Sequence, residues 1–421
     1  MIIKPLVRNN ICINSHPAGC AVSVKRQIEY VKKTLSCSVP GSVISSDGSS
    51  PNDVLPKLAL VIGCSNGYGL ASRIAAAFGY GAVTVGVSRE KPATERHTAT
   101  PGFYNNLAFE HEAVKAGLIA KSLDGNAFGD EMKAETVSAV REAAVLANIP
   151  AKIDLLVYSL AAPVRTDPKT GIMYKSVIKP VGAPFSGKTL SLMKGTLCIA
   201  SAEPATEEEI ASTVKVMGGE DWELWIEALE KEGLLSPQSR IIAYTYLGPE
   251  YSWPIYKNGT IGRAKEDLER ACREINKKYT TPGKIAGAWI SVNKALVTRS
   301  SAVIPIIPLY LACLFRVMKE KGLHEGCIEQ IVRLYRDRLY TPGNTEAANV
   351  PVDGDGRIRI DDWEMLEDVQ KAVMEKMNTV TEKNVLAETD AAGIKHDFLE
   401  AHGFDIEGVD YKLSPKSLRN C

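Results

Sequence analysis

Apolar and polar positions along this chain alternate between a strand-like and a helix-like period. Residues 58–63, LALVIG, form an unbroken apolar run of strand length, which suits a parallel strand buried on both faces. Helix formers follow at 68–78, YGLASRIAAAF, and 81–88, GAVTVGVS, alternates valine with small residues as a second strand. Strand, helix, strand is a βαβ unit. The pattern repeats with an apolar stretch at 117–125, a helical stretch at 131–147 and a strand at 152–163. Further on, 239–248 reads as a strand, a helix starts with Thr260 as its N-cap, and 286–298 reads as another strand. Together these predict an α/β fold, a doubly wound parallel sheet. Between 162 and 238 lies a long excursion that holds a helix with a capping-box start, Thr206 and Glu209.

Composition narrows the partners. The 421 residues are 45% hydrophobic and 24% charged, as in a soluble globular protein. Lys plus Arg equals Asp plus Glu at 50 each, so there is no electrostatic footprint for nucleic acid or an anionic membrane, and a small-molecule substrate is expected. Nine cysteines without a Cys-x-x-Cys pair predict reduced thiols and a cytoplasmic setting. The first twenty residues lack a secretory signal, and the longest apolar stretch, 301–315, is short for a bilayer span and carries Pro305 and Pro308. The Ser/Gly/Pro-rich segment 36–53 reads as a surface insertion, and 343–421 as a C-terminal extension packed on the core of one enlarged domain.

Candidate chemistry begins at the turn after the first strand. Gly63, Gly67 and Gly69 space as G-x-x-x-G-x-G, which lets the backbone turn tightly and bring a pyrophosphate over free N–H groups at a helix N-terminus. Strand before and helix after make this a dinucleotide turn. Glu90 lies where the second strand ends, the position from which a carboxylate grips the adenosine ribose. Arg89 beside it can pair with a 2′-phosphate, which Glu90 would repel, so NADPH use stays open. Cys64, inside the turn, reads as a small packed side chain rather than a nucleophile.

A reductase on such a sheet needs an acid near the nicotinamide. The Tyr-x-x-x-Lys pair of short-chain reductases is missing, because none of the fifteen tyrosines has a lysine four residues later. Residues 243–271 offer Tyr256 and Lys265 instead, nine apart, which on one helix would point about 180° away from each other. Asn258-Gly259 breaks the chain between them, so Tyr256 can precede the helix and converge with Lys265 from a second element. A lysine ammonium near the phenol would stabilise its anion.

Several long motifs carry a resemblance: KPLVRNNICINSHPAGC, GCSNGYGLASRIAAAFGYGA, VYSLAAPVRTDPKTG, TVKVMGGEDWELW, YSWPIYKNGTIGRAKEDLE, KALVTRSSAVIPIIPLY and MKEKGLHEGCIEQIVRLY. From about residue 2 to 411 the chain resembles the trans-2-enoyl-CoA reductase family, monomeric enzymes that include one type of enoyl-acyl-carrier-protein reductase. The resemblance implies an enlarged short-chain dehydrogenase/reductase Rossmann fold with a Tyr-x8-Lys pair, matched here by Tyr256 as proton donor and Lys265. It implies that Tyr246 touches the substrate. It also implies an NADH site lined by Gly63, Cys64, Ser65, Asn66, Gly67, Tyr68, Arg89, Glu90, Asn126, Ala127, Leu160, Ala161, Lys265, Leu296, Val297 and Thr298. Arg89 stands where most members carry an aromatic, and Asn126 where an aspartate is usual. The implied activity is NADH-dependent reduction of the 2,3 double bond of an enoyl-CoA, with the carrier-protein thioester or a silent NADH-binding regulator as alternatives.

Other motifs are set aside. Residues 352–364, VDGDGRIRIDDWE, look like a calcium loop but lack its first ligand and its last glutamate, so a hairpin with an Asp-Gly turn is expected. Cys12, His16 and Cys20 lack a second ligand pair, and no metal is expected. The apolar run 301–315 would suit an acyl-chain wall, yet such a run is more often core.

Overall fold

The computed structural model describes residues 2–8, 11–35, 55–298, 304, 307–341 and 349–412. The expected insertion at 36–53 lies outside the described residues. Seven parallel strands form the central sheet: β1 (Leu58–Ile62), β2 (Val83–Ser88), β3 (Ala120–Asp124), β4 (Ile153–Tyr158), β5 (Leu235–Thr245), β6 (Gly287–Val292) and β7 (Ile358–Arg359), in the order β7-β6-β5-β4-β1-β2-β3. The chain runs outward from β1 in one direction and then restarts at β4 beside β1, which creates a topological switch point between those two strands.

Both faces are covered, as the unbroken apolar run of β1 requires. Leu58, Leu60 and Ile62 enter one core, with α4 (Asp130–Ala147), α6 (Glu220–Lys231) and α7 (Thr260–Ile275). Ala59 and Val61 point the other way, into a core built with α1 (Pro17–Leu35), α2 (Gly67–Ile74), α3 (Pro101–Lys115) and α9 (Cys327–Leu334). A third core lies apart from the sheet faces and joins α8 (Ile307–Glu320), α10 (Glu367–Thr379) and α11 (Ala391–Glu400) to Ile255, Tyr256, Leu296 and Val297. The run around 307–315 belongs to this core, with every side chain from Ile307 to Phe315 buried. Among the described residues, no helix is long and apolar enough to cross a membrane.

Three local expectations need correction. Thr260 is not the N-cap of α7 but its first residue: Gly259 precedes it, and Thr260 instead ties the excursion down, donating from N–H to Lys179 O (3.0 Å) and from Oγ1 to Val177 O (2.5 Å). The strand expected at 286–298 stops at Val292: Asn293 N–H makes one more bond to Thr245 O (2.9 Å), and the described residues after it make no strand pairing. Residues 352–364 do not make a hairpin. Their Asp353–Arg357 turn feeds β7, which pairs parallel to β6 at the sheet edge.

Candidate active site

Nearly every residue expected at the site follows the carboxyl end of a sheet strand, where open α/β sheets bind their ligands. Gly63 follows β1, Arg89 and Glu90 follow β2, Asn126 and Ala127 lie just past β3, Leu160 and Ala161 past β4, Tyr246 directly after β5, and Leu296 to Thr298 past β6. The glycine turn opens at the switch point.

The turn's geometry excludes side chains. Gly63 has φ +89°, and a Cβ there would stand 2.2 Å from Ser159 O; a Cβ on Gly69 would stand 1.9 Å from Gly63 O. Gly67, at φ +52°, lies against Thr298 and so brings the segment after β6 to the turn. Asn66, at the start of α2, gives no side-chain cap to the helix, leaving the first-turn N–H groups for an anion. Cys64 is fully buried, its thiol pushed up by burial, which fits packing and not nucleophilic chemistry. Arg73 lies beneath, also fully buried, donating to Ser122 Oγ (2.7 Å) and packed over the Phe109 ring.

Glu90 is held over the turn. Its Oε1 accepts from Ser65 Oγ (2.6 Å) and Asn66 Nδ2 (3.3 Å), while Oε2 is buried with no hydrogen-bond partner. An unpartnered buried carboxylate oxygen is costly unless a ligand donates to it, and a ribose hydroxyl is such a donor. The cradle, the uncapped helix start and this oxygen together fit NADH. Arg89 is exposed, at the rim.

The loop after β3 is fixed from behind. Ala127 O accepts from Trp225 Nε1 (3.1 Å), and the buried Lys133 reaches Asp221 Oδ1 (3.0 Å), whose other oxygen accepts from Tyr158 (3.0 Å). Lys133 and α6 of the excursion thus set the backbone of Asn126 and Ala127.

The proton-donating side is assembled from distant segments. Tyr246 and Tyr256 meet edge to face, with ring centroids 5.1 Å apart. Tyr256 O accepts from Gly262 N–H (3.0 Å) and Gly259 N–H (3.1 Å), so the start of α7 pins the turn that carries it. Burial raises the Tyr256 phenol above its ordinary value and makes it a protonated acid. Among the described residues no hydrogen bond joins Lys265 to that phenol. Its Nζ donates to Tyr244 O (2.9 Å), and burial pushes its pKa down to about 8. Tyr68 Oη donates to Lys294 O (2.9 Å) and its ring lies against Tyr244, linking the glycine turn to β5.

Three further side chains complete this cluster. Glu364, fully buried, takes Tyr246 Oη (3.0 Å) and Tyr310 Oη (2.7 Å) on Oε1 and Ala295 N–H (2.7 Å) on Oε2. Gln370 Nε2 reaches Tyr310 Oη (3.1 Å) and Glu364 O (2.7 Å). Tyr310, a lone polar residue inside the apolar stretch PLYLACLF, is a signal by which a sequence discloses such a group; Glu364, among the charges of RIRIDDWEMLED, carries no such signal.

A glycine cradle at the switch point and a packed tyrosine pair at the same end of the sheet fit an NADH-dependent reductase, and the comparisons with known proteins agree. The trans-2-enoyl-CoA reductase catalytic region matches residues 97–340, and the NAD(P)H binding domain of trans-2-enoyl-CoA reductase matches 2–95. The chain belongs to the trans-2-enoyl-CoA reductase family. It is 55% identical over 412 residues to the trans-2-enoyl-CoA reductase (NADH) of Treponema denticola, covering 98% of each chain. The crystal structure of that enzyme in complex with NAD aligns with a TM-score of 0.89 over 98% of both chains. The enoyl-acyl-carrier-protein reductase (NADH) of Flavobacterium johnsoniae is 48% identical over 420 residues, covering all of this chain and 99% of that one. A trans-2-enoyl-CoA reductase from Clostridium acetobutulicum in complex with NADH, 40% identical, aligns at a TM-score of 0.89 over 100% of this chain and 99% of its own.

A third description, an enoyl reductase FAD binding domain, matches residues 352–414. The described residues of this reductase do not fit a flavin dinucleotide there. Gly354 and Gly356 lie in a turn flanked by Asp353 and Asp355, which repel a pyrophosphate, and Arg357 and Arg359 are paired with Asp353, Asp355, Asp361 and Glu269. Val369, Val373, Met377, Ile394 and Phe398 fill the third core. What the segment brings to the site is Glu364 and Gln370.

Proposed function

We propose that this chain reduces the 2,3 double bond of a trans-2-enoyl-CoA to the saturated acyl-CoA, with NADH as the reductant. The observation that carries the reading is the buried Tyr256 packed against Tyr246 at the carboxyl end of the sheet, together with a glycine turn whose neighbour Glu90 keeps one oxygen for a ribose. Gly63 to Tyr68 hold the pyrophosphate, Glu90 the adenosine ribose, Asn126 and Ala127 the adenine side, and Lys265 the nicotinamide ribose. Leu160, Ala161 and Leu296 to Thr298 enclose the remainder. Bound NADH supplies the hydride for Cβ. Negative charge then develops on the thioester oxygen, where a preorganised phenol stabilises it. Tyr256 keeps its proton until that stronger base forms and donates it to the enolate oxygen; the enol then tautomerises, gaining a proton at Cα and losing the one on oxygen, to give the saturated acyl thioester. Tyr246 is the second donor. Retention of both Tyr256 and Lys265 speaks against a silent NADH-binding regulator.

A carrier-protein thioester is the second reading, favoured by the 48% identity to the Flavobacterium enzyme of that name. A monomer is proposed as well, as the family resemblance implies. The nine scattered cysteines, with no Cys-x-x-Cys pair, support a reducing, cytoplasmic setting. Steady-state NADH oxidation with crotonyl-CoA and with crotonyl-acyl-carrier-protein tests the substrate. A higher kcat/KM for crotonyl-CoA is expected; a carrier-protein value tenfold or more above it, about 1.4 kcal/mol in transition-state binding, would reverse the assignment.

A further inference from the structure

Glu364 lies outside the glycine turn and the Tyr-x8-Lys pair, and its hydrogen bonds have a direction. Gln370 fixes that direction first. Its Nε2 faces Glu364 O, a backbone acceptor with no hydrogen to give, so the amide nitrogen and not its oxygen also faces Tyr310 Oη. Tyr310 therefore accepts from Gln370 and has its single hydrogen for Glu364 Oε1. On the other side of the carboxyl, Oε2 accepts from Ala295 N–H, a pure donor. One relation is left to be set, that between Oε1 and Tyr246. If Glu364 is ionised, Tyr246 donates to it and has no hydrogen for a substrate. If Glu364 is protonated, its own hydrogen goes to Tyr246 Oη, and the Tyr246 hydroxyl is free to donate elsewhere.

We propose that Glu364 is a positioning residue of the reduction: as a neutral acid it donates to Tyr246 and turns the Tyr246 hydroxyl toward the thioester oxygen. The proposal rests on the reading of Tyr246 as a donor to substrate. Hydrogens then run one way, from Gln370 through Tyr310, Glu364 and Tyr246 to the developing enolate, and each link polarises the next. The groups facing Glu364 are Tyr246 at the end of β5, Tyr310 on α8, Gln370 on α10, Lys294 and the Ala295 amide after β6, and Asp361 after β7. Burial is the largest influence and raises its pKa; Lys294 opposes it and Asp361 adds to it. Lys294 is itself occupied, donating to Ala295 O (3.1 Å) and packed over the Phe315 ring. Glu364 loses its proton as pH rises through this raised value, so the Tyr246 donor is present on the acid side and withdrawn on the alkaline side.

The test is kcat against pH, with saturating NADH and crotonyl-CoA, for wild type, Glu364→Gln, Glu364→Leu and Tyr246→Phe. Glu364→Gln places an N–H donor against Tyr246 and cannot ionise. The ratio of its kcat to that of wild type is expected to climb with pH by about tenfold, while Glu364→Leu loses on the order of 10² relative to wild type on the acid side, the scale of one lost oxyanion donor, and less on the alkaline side, where wild type has itself withdrawn the donor. KM for NADH stays at the wild-type value in both. A flat ratio, or equal losses in Glu364→Gln and Glu364→Leu, overturns the proposal. Tyr246→Phe separates the two levels: if it leaves kcat unchanged, the donor role of Tyr246 falls; if it lowers kcat and Glu364→Leu does not, only the role of Glu364 falls. Glu364→Gln keeps the test valid should Glu364→Leu fail to fold, as its thermal melt reports.

Discussion

Around the glycine turn, the groups that would hold NADH come from one short stretch: Gly63 to Gly69 and, one strand later, Glu90, bonded to one another through Ser65 and Asn66. The proton-donating side, by contrast, is gathered from residues 246, 256, 265, 310 and 364, two of them on the helices α7 and α8 and three in the segments between elements. The first half is a local backbone device that works by leaving atoms out, so Cβ atoms and caps are absent. The second is a packed network that works by filling space, so that each hydroxyl has one place to point. Damage to the former should appear in cofactor binding, damage to the latter in turnover.

Gly63→Ala would strike the cradle hardest, since the new Cβ meets Ser159 O and the backbone is held at φ +89°. Strain of about 1–3 kcal/mol plus the clash should cost more than about 10² in NADH affinity, read by fluorescence titration. Wild-type affinity in this variant would break the contrast. Lys265 spans the two halves and gives a pH signature. Its pKa is about 8 folded against 10.5 for the free side chain, so burial penalises the ammonium. That penalty is fully present below about pH 8 and disappears as pH rises toward 10.5. Urea unfolding should show wild type gaining on the order of 3 kcal/mol relative to Lys265→Met across that window, and parallel curves would refute it. The smallest effect is one of preference. Glu90→Gln keeps the bonds to Ser65 and Asn66 but removes the charge that repels a 2′-phosphate beside Arg89. The NADPH-to-NADH ratio of kcat/KM should rise about tenfold, or about 1.4 kcal/mol.

The difference between the halves also decides what a sequence reader can see. The strands β1, β2, β3 and β4 and their helices follow from apolar runs and periodicity, and the turn follows from its glycines, because those signals lie within a few residues of one another. The site list from family resemblance lands on strand ends for the same reason. Thr260, by contrast, reads as a cap on local grounds, yet its bonds go to Val177 and Lys179 in the excursion. The lysine of the Tyr-x8-Lys pair is near enough in sequence to suggest direct help to Tyr256, but a backbone carbonyl at Tyr244 takes its ammonium. Glu364 sits in a stretch whose spacing suggests a failed calcium loop and a hairpin. Only parallel pairing of β7 at the sheet edge brings it under Tyr246.

The most direct test of the division is one variant measured twice. In Tyr256→Phe, NADH affinity by titration should equal that of wild type while kcat with crotonyl-CoA falls by about 10² or more, as for a lost general acid. Turnover within a few-fold of wild type, or a loss of NADH binding as large as the loss of kcat, would contradict the account.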